Sequence, residues 1–241
     1  MIEPGDDLAT LMMDALSRAE ISLEDGDIFV LAQKIVSKAE GRLVTLADVE
    51  PSPEAVELAN TVEKSPELVE LILRESRSVI RQRLGLLIVE HNLGFISANA
   101  GIDASNVEKG NSSGQVLLLP ENPDLSARRI RDAVQTALDV QIGVLIIDSH
   151  GRAWRNGTSG VAIGLAGMPG LVDLRGESDL FGYTLRITMV GAADELAAGA
   201  SLIMGQAAEG TPVVHVRGFP YPLREGSLDE LLRDPEHDLF R

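Results

Sequence analysis

The sequence predicts an α/β (mixed α+β) fold, with strands and helices interleaved, that is neither a Rossmann nor a P-loop fold. Three observations carry this. Short apolar runs bounded by turn residues, at 28–32, 144–147 and 213–216, read as buried strands. Segments with helical spacing lie between them, most clearly 8–19 and 192–204. Two apolar runs flank His91-Asn92-Leu93 and read as a hairpin, which a simple doubly wound parallel sheet does not contain.

The elements follow in order. Leu8, Leu11, Met12, Ala15, Leu16 and Ala19 recur at helical spacing behind Asp6-Asp7, which can cap and favour a helix N-terminus. Ile28 to Ala32 is a strand after Asp25-Gly26-Asp27, and Gln33 to Arg42 reads as strand running into loop. Pro53 to Glu63 and Pro66 to Ile80 read as two helices, each with proline in its first turn. Leu86 to Val89 and Gly94 to Ala98 form the hairpin, and Val116 to Leu119 is a further strand closed by Pro120. Leu125 to Leu138 is a helix opened by Asp124, with Arg128, Arg129 and Arg131 on its polar side. After strand 144–147, the glycine-rich stretch 156–182 reads as loops and tight backbone contacts. Leu185 to Val190 is a strand, Ala192 to Met204 a helix, Val213 to Val216 the last strand and Ser227 to Leu232 a short helix. The acidic stretch of about 227–241 reads as a tail. The whole of 1–241 reads as one unit, with a division into two discontinuous subdomains left open.

Composition narrows the function. A chain of 241 residues, 44% of them hydrophobic, can bury a core without covalent staples. The absence of cysteine excludes disulfides, thiolate zinc, iron–sulfur clusters and a cysteine nucleophile, and fits a cytoplasmic setting. The N-terminus lacks a signal-peptide pattern and no apolar run reaches the ~20 residues of a membrane span. A net charge of −16 argues against nucleic acid and anionic membrane as partners. It leaves room for an anionic small ligand, provided lysine, arginine, backbone N–H groups or a cation cancel charge locally. His91, His150, His215 and His237 lie far apart with no i,i+4 pair, so a histidine-built zinc site is not expected.

The P-loop, Gly-x-Gly-x-x-Gly, Gly-x-Ser-x-Gly and paired His-Glu zinc motifs are all absent. What remains is a set of strand exits. Asp103 and Asn106 follow the apolar run ending at Ala98, and Asp148-Ser149-His150-Gly151-Arg152 follows strand 144–147. Carboxylates at strand mouths can hold Mg²⁺ or Mn²⁺ against a phosphate, and Ser149 could add a hydroxyl. The same pair could equally be two turn caps. Lys34, Lys38 and Arg152 could neutralise phosphate oxygens, although Lys38 also reads as a solvated loop lysine. Gly205 ends the helix 192–204 and by itself reads as an ordinary C-cap.

Taken together, these segments resemble the coenzyme F-420 γ-glutamyl ligases. The match runs through Gly26-Asp27, Ser37-Lys38-Ala39-Glu40-Gly41-Arg42 and Asn99-Ala100-Gly101-Ile102-Asp103-Ala104-Ser105-Asn106. It continues through Asp148 to Arg152, Asp194 to Ala197, Met204-Gly205-Gln206, Pro212 to Val214 and Arg217-Gly218. The resemblance implies an enzyme that uses GTP to attach L-glutamate to the precursor of the deazaflavin coenzyme, then extends the tail through γ-linkages. It also implies two divalent cations (Mg²⁺ or Mn²⁺), a stimulating K⁺, and an intertwined homodimer with mixed sheets and flanking helices. On this sequence it implies Asp103 and Asp148 as ligands of one divalent ion, and Ser149 and Gln206 as ligands of a second. Ile2, Gln33, Lys34, Lys38, Asn106 and the loop Met204, Gly205, Gln206, Ala207, Ala208, Glu209, Gly210 and Thr211 are implied nucleotide contacts. Asp148, Lys38 and Arg152 are the catalytic candidates. Relatives usually carry a strand and a Gly-Leu-Pro segment ahead of the Pro-Gly-Asp-Asp block, of which Ile2 is what remains here. Other readings of the same residues are a metal-dependent phosphohydrolase and a non-catalytic nucleotide- or deazaflavin-binding module.

Overall fold

The computed structural model describes residues 1–104 and 114–238. In chain order these form α1 (Leu8–Arg18), β1 (Ile28–Ala32), α2 (Gln33–Ala39), β2 (Leu43–Thr45), α3 (Pro53–Val62), α4 (Pro66–Arg74), β3 (Ser76–Arg83), β4 (Leu86–His91) and β5 (Ile96–Ala98). There follow β6 (Gln115–Leu117), α5 (Pro123–Leu138), β7 (Gly143–Arg152), β8 (Arg155–Ala166), β9 (Val172–Asp173), β10 (Met189–Val190), α6 (Ala192–Met204) and β11 (Val213–Val216).

The central sheet has the order β11-β1-β7-β8. The β1–β7 pair is parallel, while β11 and β8 run antiparallel at the two edges. Both faces are covered, so β1 and β7 read as continuous apolar runs rather than alternating ones. Phe29, Leu31, Val144 and Ile146 pack beneath α1 and α5. Ile28, Val30, Leu145 and Ile147 face α6. A second layer is the meander β3-β4-β5, whose Leu87 and Val89 bury against Ala55, Ala59 and Val62 of α3 and Val69 and Ile72 of α4. The mixed α/β class is therefore as expected, with several small sheets and no doubly wound order. Among the described residues, no helix is long and apolar enough to cross a membrane.

At the N-terminal end of β1, Asp27 is 2% exposed. Arg217 grips it with Nε 2.9 Å from Oδ1 and Nη2 2.8 Å from Oδ2, and His215 Nε2 lies 2.9 Å from Oδ2. Burial opposes ionisation, but the Arg217 guanidinium, the Glu24 N–H and His215 outweigh it and hold the carboxyl well below the usual range. This clasp ties β11 to the start of β1. It also explains why Gly26-Asp27 and Arg217-Gly218 belong to one pattern.

Several expectations are corrected. Residues 33–39 are helix α2, not strand into loop; Ile35, Val36 and Ala39 have helical spacing. The cap, Ala32, makes no side-chain bond, so no Ser or Asp announced the start. The second predicted helix stops at Arg74, and residues 76–83 are β3, paired with β4. Residues 155–166 are a long strand, β8, instead of loop. Gly160 lies against α6 and Gly164 against the first turn of α5, where a Cβ would not fit. Asn122, not Asp124, caps α5, and Asp124 instead accepts from the N–H groups of Leu165 and Leu228. Arg131 is buried, donating to Asp132 and Glu225. Of 185–190 only β10 is strand, and 228–230 is a single 3₁₀ turn with Leu228 buried.

Candidate active site

The parallel pair fixes where a site can lie. In the register, Ala32 is opposite Ile147, so β1 turns into α2 at the point where β7 continues into Asp148. Ligands of α/β proteins gather at such carboxyl ends. On α2, Lys34 and Lys38 sit four residues apart and share a face. Lys34 Nζ is 2.7 Å from Asp103 Oδ2. Asp103 is held there by a two-way backbone bridge to Leu117, with N···O distances of 3.0 and 2.8 Å. Burial first, then the like charge of Lys34, lowers the Lys38 ammonium from its ordinary value, while Asp103 pulls the other way. Gln33 is buried and accepts from Ser37 Oγ at 2.8 Å; its Nε2 has no partner among the described residues.

Strand alternation sorts β7. Asp148 and His150 continue the face of Val144 and Ile146, whereas Ser149 continues the face of Leu145 and Ile147 toward α6. Ser149 Oγ donates to Gln206 Oε1 at 2.7 Å, and Gln206 Nε2 donates to Ser201 Oγ at 2.9 Å. The Met204–Thr211 loop is shaped by Gly205 at φ 73, ψ 178, a region open only to glycine and different from an ordinary left-handed C-cap. Glu209 folds back to accept the Ala207 N–H at 2.8 Å. Met204 is buried in the core beneath α6, so any ligand would meet its backbone. Residues 206–211 are exposed except where Gln206 turns to Ser149.

The predicted residues thus fall into two groups on the two faces of β7. Gln33, Lys34 and Lys38 stand past the end of β1, with Asp103 on Lys34, and Asp148 lies within β7, one residue past the last β1 partner. Ser149 shares the other face with Gln206 and the loop to Thr211. Ile2 is half-buried against the core under α1 and α5. Arg152 is exposed at the hairpin end of β7, roughly 13 Å along the strand from Asp148. Asn106 lies outside the described residues.

The residues present fit a hard cation. Asp103, Asp148, Ser149 and Gln206 offer only oxygen donors, the set that suits Mg²⁺ or Mn²⁺. Among the described residues no cluster of three or more His, Asp or Glu forms a ready metal cage. A cation here would be completed by phosphate and water, as Mg²⁺ commonly is.

Sequence reasoning missed the wall behind Asp148. His150 Nε2 is 3.0 Å from Asp148 Oδ2. Phe95 lies between His150 and His91, with ring centroids 5.2 and 5.1 Å away. His91 is buried above Glu75, which Arg42 binds with both carboxylate oxygens at 3.0 and 2.9 Å. Only the Arg42 of the Ser-Lys-Ala-Glu-Gly-Arg block hinted at this, because its partner lies 33 residues away.

Burial, with the neighbouring His150, Arg42 and Arg77, pushes the His91 imidazole down to about 4. Unfolded, it titrates near 6.5. The contribution is complete above pH ~6.5 and is lost as pH falls through the interval down to about 4, because only the unfolded chain takes the proton there. Urea midpoints at pH 7 and pH 4.5 should show this as a loss on the order of 2–3 kcal/mol. His91→Phe should flatten that interval; an unchanged slope would contradict the assignment.

The fold is a mixed α/β protein in which two lysines of α2 stand at the carboxyl end of β1 and oxygen donors lie on its parallel partner β7, an arrangement whose chemistry suits an anionic ligand with a hard cation. Comparison with known proteins makes the class specific. Residues 1–218 match the F420-0:Gamma-glutamyl ligase family. The chain is similar to the Coenzyme F420:L-glutamate ligase of Methanothermobacter thermautotrophicus, at 46% identity over the whole chain and 95% of the relative. It is 45% identical to that of Methanopyrus kandleri (93% of the relative) and 39% to that of Halobacterium salinarum (91%), again over the whole chain. The chain belongs to the F420-0:gamma-glutamyl ligase family.

Proposed function

We propose that the chain is a GTP-dependent ligase that joins L-glutamate to the deazaflavin precursor of coenzyme F-420 and then extends the tail by γ-linkage. The observation that carries this is the pairing of Lys34, on α2 at the end of β1, with Asp103, while the parallel partner β7 runs on into Asp148, in a chain whose relatives bear the ligase name over nearly their full length. A carboxylate is a poor acyl donor. In the proposed reaction its oxygen attacks the γ-phosphorus of GTP, the bond to the bridging oxygen breaks, and GDP leaves with the electron pair. The glutamate nitrogen then attacks the acyl carbon, phosphate departs with one former carboxylate oxygen, and the amine proton is lost to solvent.

The protein's share is placement and charge. Lys34 and Lys38 face the phosphates and absorb their charge, and Arg152 is the candidate for the same role at the hairpin end. Asp103 with Asp148, and Ser149 with Gln206, would hold the two divalent cations, which supply phosphate neutralisation and electrophilic activation when bound. Gln33, Ile2, Asn106 and the 204–211 loop are assigned to the nucleotide, and K⁺ is expected to raise turnover. Incubation with precursor, L-glutamate, Mn²⁺ and either GTP or ATP, read by product mass, tests the proposal. It expects a glutamylated product with GTP. Nucleotide hydrolysis that ignores glutamate would instead indicate a phosphohydrolase, and binding without turnover a non-catalytic module.

The homodimer belongs to the same proposal. Leu180 and Phe181 are 98% and 95% exposed, and Trp154, Ile187 and Leu202 are nearly as bare. Large apolar side chains left this bare fit surface that a second copy covers. Phe181→Glu should shift the sedimentation coefficient from dimer toward monomer at micromolar concentration with an unchanged circular dichroism spectrum. A wild-type protein that sediments as a monomer would refute the dimer.

A further inference from the structure

The Asp148 carboxylate is held by a side chain that the proposed reaction does not use. His150 lies two residues along β7 on the same face, with Nε2 3.0 Å from Asp148 Oδ2. A carboxylate only accepts, so Nε2 carries the proton and donates it. The ring is fixed in turn. Phe95 packs against it at 52°, and His91 stacks on Phe95 at 12°. His91 is locked through its own backbone segment, its Nδ1 accepting the Leu93 N–H at 3.0 Å. Phe95 also packs on the apolar cluster under α1 and α5. Asp148 is therefore restrained by a wall of rings that runs back to the β4–β5 turn, and its hydrogen bond within the described residues uses Oδ2 alone.

We infer that His150 is a positioning residue: by engaging Oδ2 it fixes the Asp148 carboxylate so that Oδ1 points at a divalent cation. This rests on the reading of Asp148 as a cation ligand. Partners that hold a ligating group in place commonly change metal affinity by about 10–100-fold when removed. The ring wall accounts for why the partner is a histidine: an imidazole can donate to Asp148 while presenting a flat face to Phe95.

The test is Mn²⁺ binding, followed by the electron paramagnetic resonance signal of the free ion, with thermal melts alongside. His150→Phe keeps the packing on Phe95 and removes the donor. It should weaken Mn²⁺ binding about tenfold or more with a melt near that of the wild type. His150→Gln, which restores an N–H donor, should recover most of the affinity. Phe95→Leu, which keeps the donor and loosens the ring, should weaken binding several-fold. Wild-type affinity in His150→Phe, with binding lost in Asp148→Ala, overturns the inference and leaves the cation reading standing. Equal binding by wild type and Asp148→Ala overturns both. If His150→Phe does not fold, wild-type affinity in Phe95→Leu with no rescue specific to His150→Gln overturns it instead.

Discussion

Asp148→Ala is expected to lose glutamylation by about 10²–10³-fold or more while its melting temperature stays close to that of the wild type. The split follows from where Asp148 sits. It caps no helix and carries no backbone; its hydrogen bond goes to His150, and its side chain is 15% exposed. Removing it strands no fully buried charge, so the stability cost stays small. The reaction, by contrast, loses the β7 carboxylate one residue past Ile147, where the pairing with β1 ends and β1 gives way to the lysine-bearing α2. Product mass and a thermal melt on one preparation measure both quantities. Turnover near wild type would remove Asp148 from the site.

Gly160→Val should have the largest effect on stability, about 3 kcal/mol. A Cβ at Gly160 would lie 2.4 Å from Ala197 O and 2.6 Å from Ser201 Cβ, both on α6. Helix backbone cannot yield as a side-chain tip can, so α6 must move off β8. At this chain length, that loss lowers the melting temperature by roughly 6–12 °C. It should also weaken nucleotide binding, since α6 carries Gln206 to its 2.7 Å contact with Ser149. Gly199→Ala is the control on the same helix: it is exposed, nothing lies within 4 Å, and alanine there should stabilise by about 0.5–1 kcal/mol. Equal melts for the two variants would show that α6 does not rest on Gly160.

The glycine at 160 also shows why part of the fold was hidden in the sequence. Strands β1 and β11 and helices α1 and α6 were legible because apolar runs and helical spacing there agree with local structure. In β8 the same glycines that admit α6 and α5 erase the side-chain pattern, so a twelve-residue strand read as loop. Helix α2 was missed because its first residues follow a strand directly, with no capping side chain. The end of β1 was legible, since an apolar run ending in polar residues is visible locally, but residues 148–152 are not an exit: they continue β7 and pair with β8. That Asp103 meets Lys34, or that His150 is walled by Phe95 and His91, depends on contacts between residues 55 or more positions apart. Only packing reveals those.

In the proposed reaction the precursor carboxylate is activated by phosphoryl transfer from GTP. Its most direct test is oxygen transfer. Precursor labelled with ¹⁸O in the carboxylate is incubated with GTP, L-glutamate and Mn²⁺, and the released phosphate is analysed by mass. One ¹⁸O atom should pass into phosphate for each amide bond formed. Unlabelled phosphate, with amide formation proceeding normally, would contradict it.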